Sequence, residues 1–319
     1  MSAPQLSILL TGRHDDYGGD FNARFITTLR FNCARLAERD VAVEVVFVEW
    51  NPVPDRPLLS ALLARECPDL PLRRIVVAPQ YHAAFTQNAQ IGYLEYLAKN
   101  VGIRRATGPF ILATNTDVFL GRHVVNTIAS GTLTPGTVYR AARHDIKIGA
   151  DQGRLAWDAL EDPSNHVRSP VLKPPLLTGG SGDFLLADTA TFHELRGFNE
   201  VYRAARAGVD VNFLVKAHGN GYPIVDIGGP VYHINHTGSF RISKAAYRDD
   251  PTDTPWGNLR WHSRHVVYTN SNGWGLADAP VSSLADGALF LEFDWRVVPP
   301  LVELRRVVLP VRQATDGND

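Results

Sequence analysis

The chain has 319 residues, 45% of them hydrophobic and 20% charged, with 32 basic against 33 acidic side chains and a formal net charge of −1. That balance sets up no field to gather nucleic acid or an acidic membrane surface, so neither is an expected partner. Two cysteines, Cys33 and Cys67, argue against a disulfide framework or a zinc cluster. With no basic segment leading into a long apolar core at the N-terminus and no apolar run of 18 residues, the expectation is a cytoplasmic protein without a transmembrane segment.

The first half alternates between two periodicities. "LSILLTG" (6–12), "VEVVFVEW" (43–50), "RRIVVAP" (73–79) and "FILAT" (110–114) read as buried strands. Between the first two, Phe21, Phe25, Leu29, Cys33 and Leu36 fall on one helix face, with Asp20 as the predicted N-cap. Further helices are predicted over 56–66 and over 90–106, the latter with Leu94, Leu97 and Val101 inward. Such alternation predicts a Rossmann-like, mostly parallel sheet covered on both faces, which binds ligands beyond the carboxyl ends of its strands.

Those ends are polar: Thr11-Gly12-Arg13-His14-Asp15-Asp16 after the first strand, Glu49-Trp50-Asn51 at the second, Asn115-Thr116-Asp117 at the fourth. Residues 141–178 read as a long excursion, helical in part around Leu155–Leu160. "TGGSGDFLLAD" then leads into a strand, "TATFHELRGFNE" and "AGVDVNFLVKAHGNGY" into two helices, and "PIVDIGGPVYHINH" into a strand or two carrying His233 and His236. Beyond about 240 the pattern is irregular; Trp256, Trp261 and Trp274 there are candidates to stack on a sugar, and "FDWRVVPPLVELRRVVLPV" could pack back on the domain or form a homodimer contact.

A carboxylate at the end of a buried strand suits a divalent cation that completes its shell with substrate phosphates. No GxxxxGK[ST] or GxGxxG fingerprint accompanies it. On adjacent loop positions His14, Asp15 and Asp16 are expected to touch a nucleotide rather than to converge on one ion.

Four pieces in order resemble the GT-A fold glycosyltransferases, in particular the family 2 group of nucleotide-sugar transferases. They are "SILLTGR", "VEVVFVEWN", "LAKNVGIRRATGPFILATNTD", and "RGFNEVY" with "AGVDVNFLVKAHGNGY", spanning roughly residues 5–236. The resemblance implies an α/β fold of GT-A type with an irregular C-terminal extension, a divalent metal (Mn2+ or Mg2+), and a UDP- or GDP-sugar donor. Asp117 matches the second Asp of the family's DxD motif, a metal ligand; Asn115 stands at the first, so this position brings no charge. Thr11, Gly12, Arg13, Glu49, Lys99, Asn100 and Asn115 are the implied donor contacts, Glu49 at the base. Asp210 matches the general base of an inverting transfer, without the acidic neighbour usual before it. His233 or His236 stands where a histidine reaches the metal or diphosphate; on a strand they would point to opposite faces, so that one faces the crevice. Asp183, after glycines, is the implied acceptor contact.

The expected organisation is a nucleotide-sugar-binding half (1–118), an acceptor-binding and catalytic half (119–240) and an extension (241–319). The expected activity is transfer of a sugar to a saccharide or other hydroxyl-bearing acceptor, with inversion favoured over retention. A sugar-nucleotide nucleotidyltransferase and an inactive nucleotide-sugar-binding protein are the alternatives.

Overall fold

The computed structural model describes residues 3–86, 91–147, 156–179, 181–202, 208–236 and 269–298. Strands β1 (Leu6–Gly12) and β2 (Val43–Trp50) are mostly apolar and buried along nearly their whole length because both of their faces are covered. Leu6, Ile8 and Leu10 turn to the side of helix α1 (Phe21–Ala37), whereas Leu9, Val48 and Trp50 enter a second core on the opposite face. Helix α2 (Leu59–Glu66), β3 (Leu72–Val77), α3 (Pro79–Phe85), α4 (Glu95–Ile103) and β4 (Phe110–Thr114) complete a parallel half in the order β3-β2-β1-β4. The α/β class read from alternation is the class observed. Helix α4 is shorter than expected, because Ile91 to Leu94 precede it without helical structure.

The expected cap of α1 differs in its chemistry. Asp20 sits at the N-cap in a left-handed conformation (φ 50°) and makes no capping bond. Asp16 supplies it instead, its Oδ1 accepting the Phe21 N–H at 3.1 Å.

Beyond β4 follow β5 (Val118–Leu120), α5 (Arg122–Ala129), β6 (Val138–Ile146), α6 (Trp157–Glu161), β7 (His166–Arg168), β8 (Phe184–Asp188), α7 (Thr189–Glu194), α8 (Val209–Gly219), β9 (Ile224–Ile234), β10 (Val281–Ser283) and β11 (Leu289–Leu291). All strands join one sheet, β10-β11-β3-β2-β1-β4-β8-β6-β9-β5, with β7 alongside β6. β8 enters antiparallel to β4 and β6, while β6 and β9 run parallel. Three readings change here. The expected excursion from 141 begins inside β6, a central strand. The helix expected over 189–200 stops at Glu194, before Gly197 at φ 62°. The irregular extension contributes β10 and β11, of which β11 pairs with β3 and β10 with β11.

Chain reach shows that the sheet curls. In a flat sheet β5 would stand four strand spacings, about 19 Å, from β4. Residues 115–117 give four Cα–Cα steps, about 14 Å at full extension plus pleat, so β9 and β5 must fold round toward the end of β4. Asp117 is the last residue of that crossing. Among the described residues no helix is long and apolar enough to cross a membrane, and Cys33 and Cys67 are buried free thiols.

Candidate active site

The crossing is held from below by polar groups of α1. Thr28 Oγ1 donates to the Thr116 carbonyl at 2.5 Å, and the Asn32 amide donates to the Val118 carbonyl and accepts the Leu120 N–H, both at 2.8 Å. From above, β5 pairs antiparallel with β9 so that Val118 faces His233, and the Ile234 N–H bonds the Asp117 carbonyl at 3.0 Å. This register brings together Asp117, His233 and His236, each offering a ligand atom within 4.8 Å of the others. Asp117 Oδ2 lies 3.5 Å from His233 Nε2 and 3.1 Å from His236 Nε2. Both histidines converge, because His236 follows the end of β9 and escapes strand alternation.

Burial alone would raise the Asp117 pKa; bonds and charge from His233 and His236 outweigh it and hold the carboxyl well below the usual carboxylate range. Burial would likewise lower His233, but Asp117 and Asp145 push it up to about 9. The β1–α1 loop closes over the cluster: the Tyr17 ring packs edge-on against His236 at 5.1 Å, and Gly18 lies so near His236 that a Cβ there would strike the imidazole. Arg24 braces this loop, its Nη1 donating to the Gly18 carbonyl at 3.1 Å and its Nη2 to the Tyr17 carbonyl at 2.5 Å.

A polar chain runs from the cluster toward α4 and α8. Arg143 Nε donates to Asp145 Oδ1 at 2.6 Å and Nη1 to Asp183 Oδ2 at 2.8 Å. Asp183 Oδ1 accepts from Asn115 Nδ2 at 3.0 Å, and Asn115 Oδ1 accepts from Lys99 Nζ at 3.0 Å. Lys99 also holds Glu95 at 2.7 Å and the Gly182 carbonyl at 3.2 Å. Asp210, in the first turn of α8, is buried; burial raises its pKa against the opposing charge of buried Arg140. The Asp183 charge acts on Arg140 as well, in the same direction as that of Asp210.

Other expected contacts lie elsewhere. Glu49 is fully buried, its two oxygens each accepting an N–H at 2.8 Å, from Leu59 and from Ser60, so both are engaged at the start of α2. Asn100 is buried, its Nδ2 donating to the Phe198 carbonyl at 2.8 Å and to Glu200 Oε1 at 2.9 Å. Thr11 receives the Tyr93 hydroxyl, Gly12 packs on the Phe21 ring, and Arg13 donates to the Gly92 carbonyl and pairs with Asp15 at 3.4 Å. His14 is held by the Pro57 carbonyl and Asn22, at 2.8 and 3.0 Å. Trp274 is a core anchor, 2% exposed, with Arg104 stacked 4.6 Å above its ring, and offers no face to a sugar. Trp256 and Trp261 lie outside the described residues.

Sequence reasoning missed Arg140, Arg143 and Asp145, all in β6. The available signal was "TVYRAARHDI", a β-branched and aromatic start after the "TPG" turn that closes on Ile146.

No protein-family model matches the chain, and no curated protein matches it. Solved structures similar to it include the catalytic domain of Drosophila beta1,4galactosyltransferase 7 with xylobiose, at 13% identity, covering 93% of this chain and 98% of that one, with a TM-score of 0.42. The mannosyltransferase PcManGT from Pyrobaculum calidifontis with GDP-Man and Mn2+ is 17% identical over 76% of this chain and 60% of that one, with a TM-score of 0.43. GalNAc-T7 with UDP, GalNAc and Mn2+ is 12% identical over 77% and 48%, with a TM-score of 0.47. At these identities and scores the chemistry of the site has to be read from its own residues.

Proposed function

We propose that the protein is a metal-dependent glycosyltransferase of GT-A type, moving a sugar from a nucleotide-diphosphate donor to an acceptor hydroxyl. The observation that carries this reading is the convergence of Asp117, His233 and His236 where the chain crosses the carboxyl end of β4. One carboxylate and two imidazoles form a donor set for a divalent ion, and a carboxylate, Asp145, stands 3.0 Å behind His233 as metal-bound histidines commonly require. Two nitrogen donors favour a transition ion such as Mn2+ over Mg2+, which keeps to oxygen. When bound, the ion would offset the charge gathering on the leaving diphosphate.

The chain's own residues supply the rest. Lys99 and Asp183 orient the Asn115 amide, whose remaining hydrogen-bonding capacity meets a donor hydroxyl. Asp183, held by Asn115 and Arg143, borders the acceptor side. Asp210 is the general base: it takes the acceptor hydroxyl proton as that oxygen bonds to the anomeric carbon and the bond from this carbon to the diphosphate oxygen breaks, with inversion. Its burial makes it a stronger base than a solvated aspartate. On this reading residues up to about 118 bind the donor and 119–240 the acceptor.

Thermal unfolding with UDP, GDP, ADP, CMP and dTDP, each with and without Mn2+, tests the proposal. One nucleotide raises the midpoint by a few degrees only with metal, and Asp117→Ala abolishes the shift. Asp210→Asn keeps the shift and loses turnover. No shift with any nucleotide in folded protein overturns the reading.

A further inference from the structure

Asp145 and Arg143 stand beside the candidate ligands without belonging to them. Asp145 in β6 is the register partner of His233 in β9, is buried, and sets its Oδ1 3.0 Å from His233 Nδ1, while the other ring nitrogen, Nε2, faces Asp117. A neutral imidazole carries one proton. If Nε2 gives its lone pair to a metal, the proton is on Nδ1 and requires an acceptor. Two polar atoms neighbour Nδ1: Asp145 Oδ1, and Arg143 Nη2 at 2.9 Å. A guanidinium only donates, so its bond to Nδ1 belongs to the tautomer with the proton on Nε2, and once Nδ1 carries the proton the carboxylate is the acceptor. Asp145 is itself pinned from behind, because Arg143 Nε donates to the same oxygen at 2.6 Å while Nη1 is anchored on Asp183 at 2.8 Å.

We propose that Asp145 is a positioning residue, which keeps the proton of His233 on Nδ1 and aims Nε2 at the space shared with Asp117 and His236. Arg143 fixes Asp145 and connects it to Asp183, so the ligand geometry and the acceptor-side carboxylate are set by one side chain. This inference rests on the metal reading of Asp117, His233 and His236, and not on glycosyl transfer.

The test is Mn2+ binding by calorimetry to the full chain and to Asp145→Ala, Asp145→Asn and Asp117→Ala. Asp145→Ala weakens binding roughly 10–100-fold, Asp145→Asn, which keeps an acceptor oxygen, recovers part of the loss, and Asp117→Ala has no saturable binding. Nitrogen-15 histidine NMR on the Zn2+-loaded protein provides a readout that packing alone would not move. His233, identified by the resonance lost in His233→Gln, carries its proton on Nδ1, and that proton loses its downfield shift in Asp145→Ala. Asp145→Ala binding within twofold of the unaltered chain overturns the inference, as does a His233 proton on Nε2 in the loaded protein. Where Asp145→Ala fails to fold, Asp145→Asn gives the same comparison: an Nδ1 proton shift identical to that of the unaltered chain overturns the inference. Metal binding that survives Asp117→Ala instead overturns the metal site itself.

Discussion

The side-chain amide of Asn100 spans both backbone groups of Phe198: Nδ2 donates to its carbonyl at 2.8 Å and Oδ1 accepts its N–H at 2.7 Å. The same Nδ2 reaches Glu200 Oε1 at 2.9 Å, and Gly197 leaves the room for this approach. Asn100→Ala strands buried polar groups and is expected to cost about 2–3 kcal/mol of stability, read by urea unfolding. Nucleotide affinity measured well below the midpoint stays unchanged; a loss of affinity at full stability would return Asn100 to the donor site.

Gly18 combines a left-handed backbone, φ +74°, with contact on His236. Gly18→Ala therefore acts twice, through backbone strain of about 1–2 kcal/mol and through displacement of the imidazole. A displacement worth about 1.4 kcal/mol lowers Mn2+ affinity tenfold. Gly131→Ala is the control: its φ is +69°, but a Cβ there meets nothing within 4 Å. Equal loss of metal affinity in both variants would sink the argument for contact with His236.

Glu49→Gln keeps shape and removes the charge that α2 receives at its first N–H groups. A loss of about 1 kcal/mol in stability is expected, with the metal-dependent nucleotide shift intact. A variant of normal stability that no longer responds to nucleotide would show that the carboxylate reads the base after all.

Lys216 is buried in α8 with Nζ on the Gly197 carbonyl at 2.5 Å. Burial pushes its ammonium down to about 7, Glu200 opposing and Arg196 adding. An unfolded lysine titrates near 10.4, so between about 7 and about 10.4 the unfolded chain holds a proton that the folded chain has released. Stability contributed here rises with pH across that window. Subtracting the pH profile of Lys216→Met from that of the unaltered chain, both from melting midpoints, should leave a rising difference; a flat one contradicts a depressed pKa.

The parallel half was legible because buried strands and amphipathic helices carry their periods openly: Leu6 to Leu10 and Phe21 to Leu36 need no tertiary knowledge. Asp117, His233 and His236 were legible as residue types at strand ends. The resemblance put one of the two histidines beside Asp117; that both meet it was not legible, because it depends on the β5–β9 register, on the curl of the sheet and on where β9 ends. β6 was hidden by its own charges: Arg140, Arg143 and Asp145 stand in a central strand, which local patterning reads as solvent-facing loop. Glu49 and Asn100 show the converse: a buried polar side chain that braces backbone looks, in sequence, like one that meets a ligand.

β11 has a consequence for how the molecule is made. It completes the sheet beside β3, and Arg74 next to that seam bonds Asp286 at 2.5 Å across 212 residues of chain. At about 5–20 residues per second a ribosome needs on the order of 10–40 s to bridge that interval. During it the backbone donors and acceptors along one side of β3 have no partner strand, the condition under which chains pair with the wrong neighbour. β3 is an interior strand of the finished sheet and an edge strand of the nascent one.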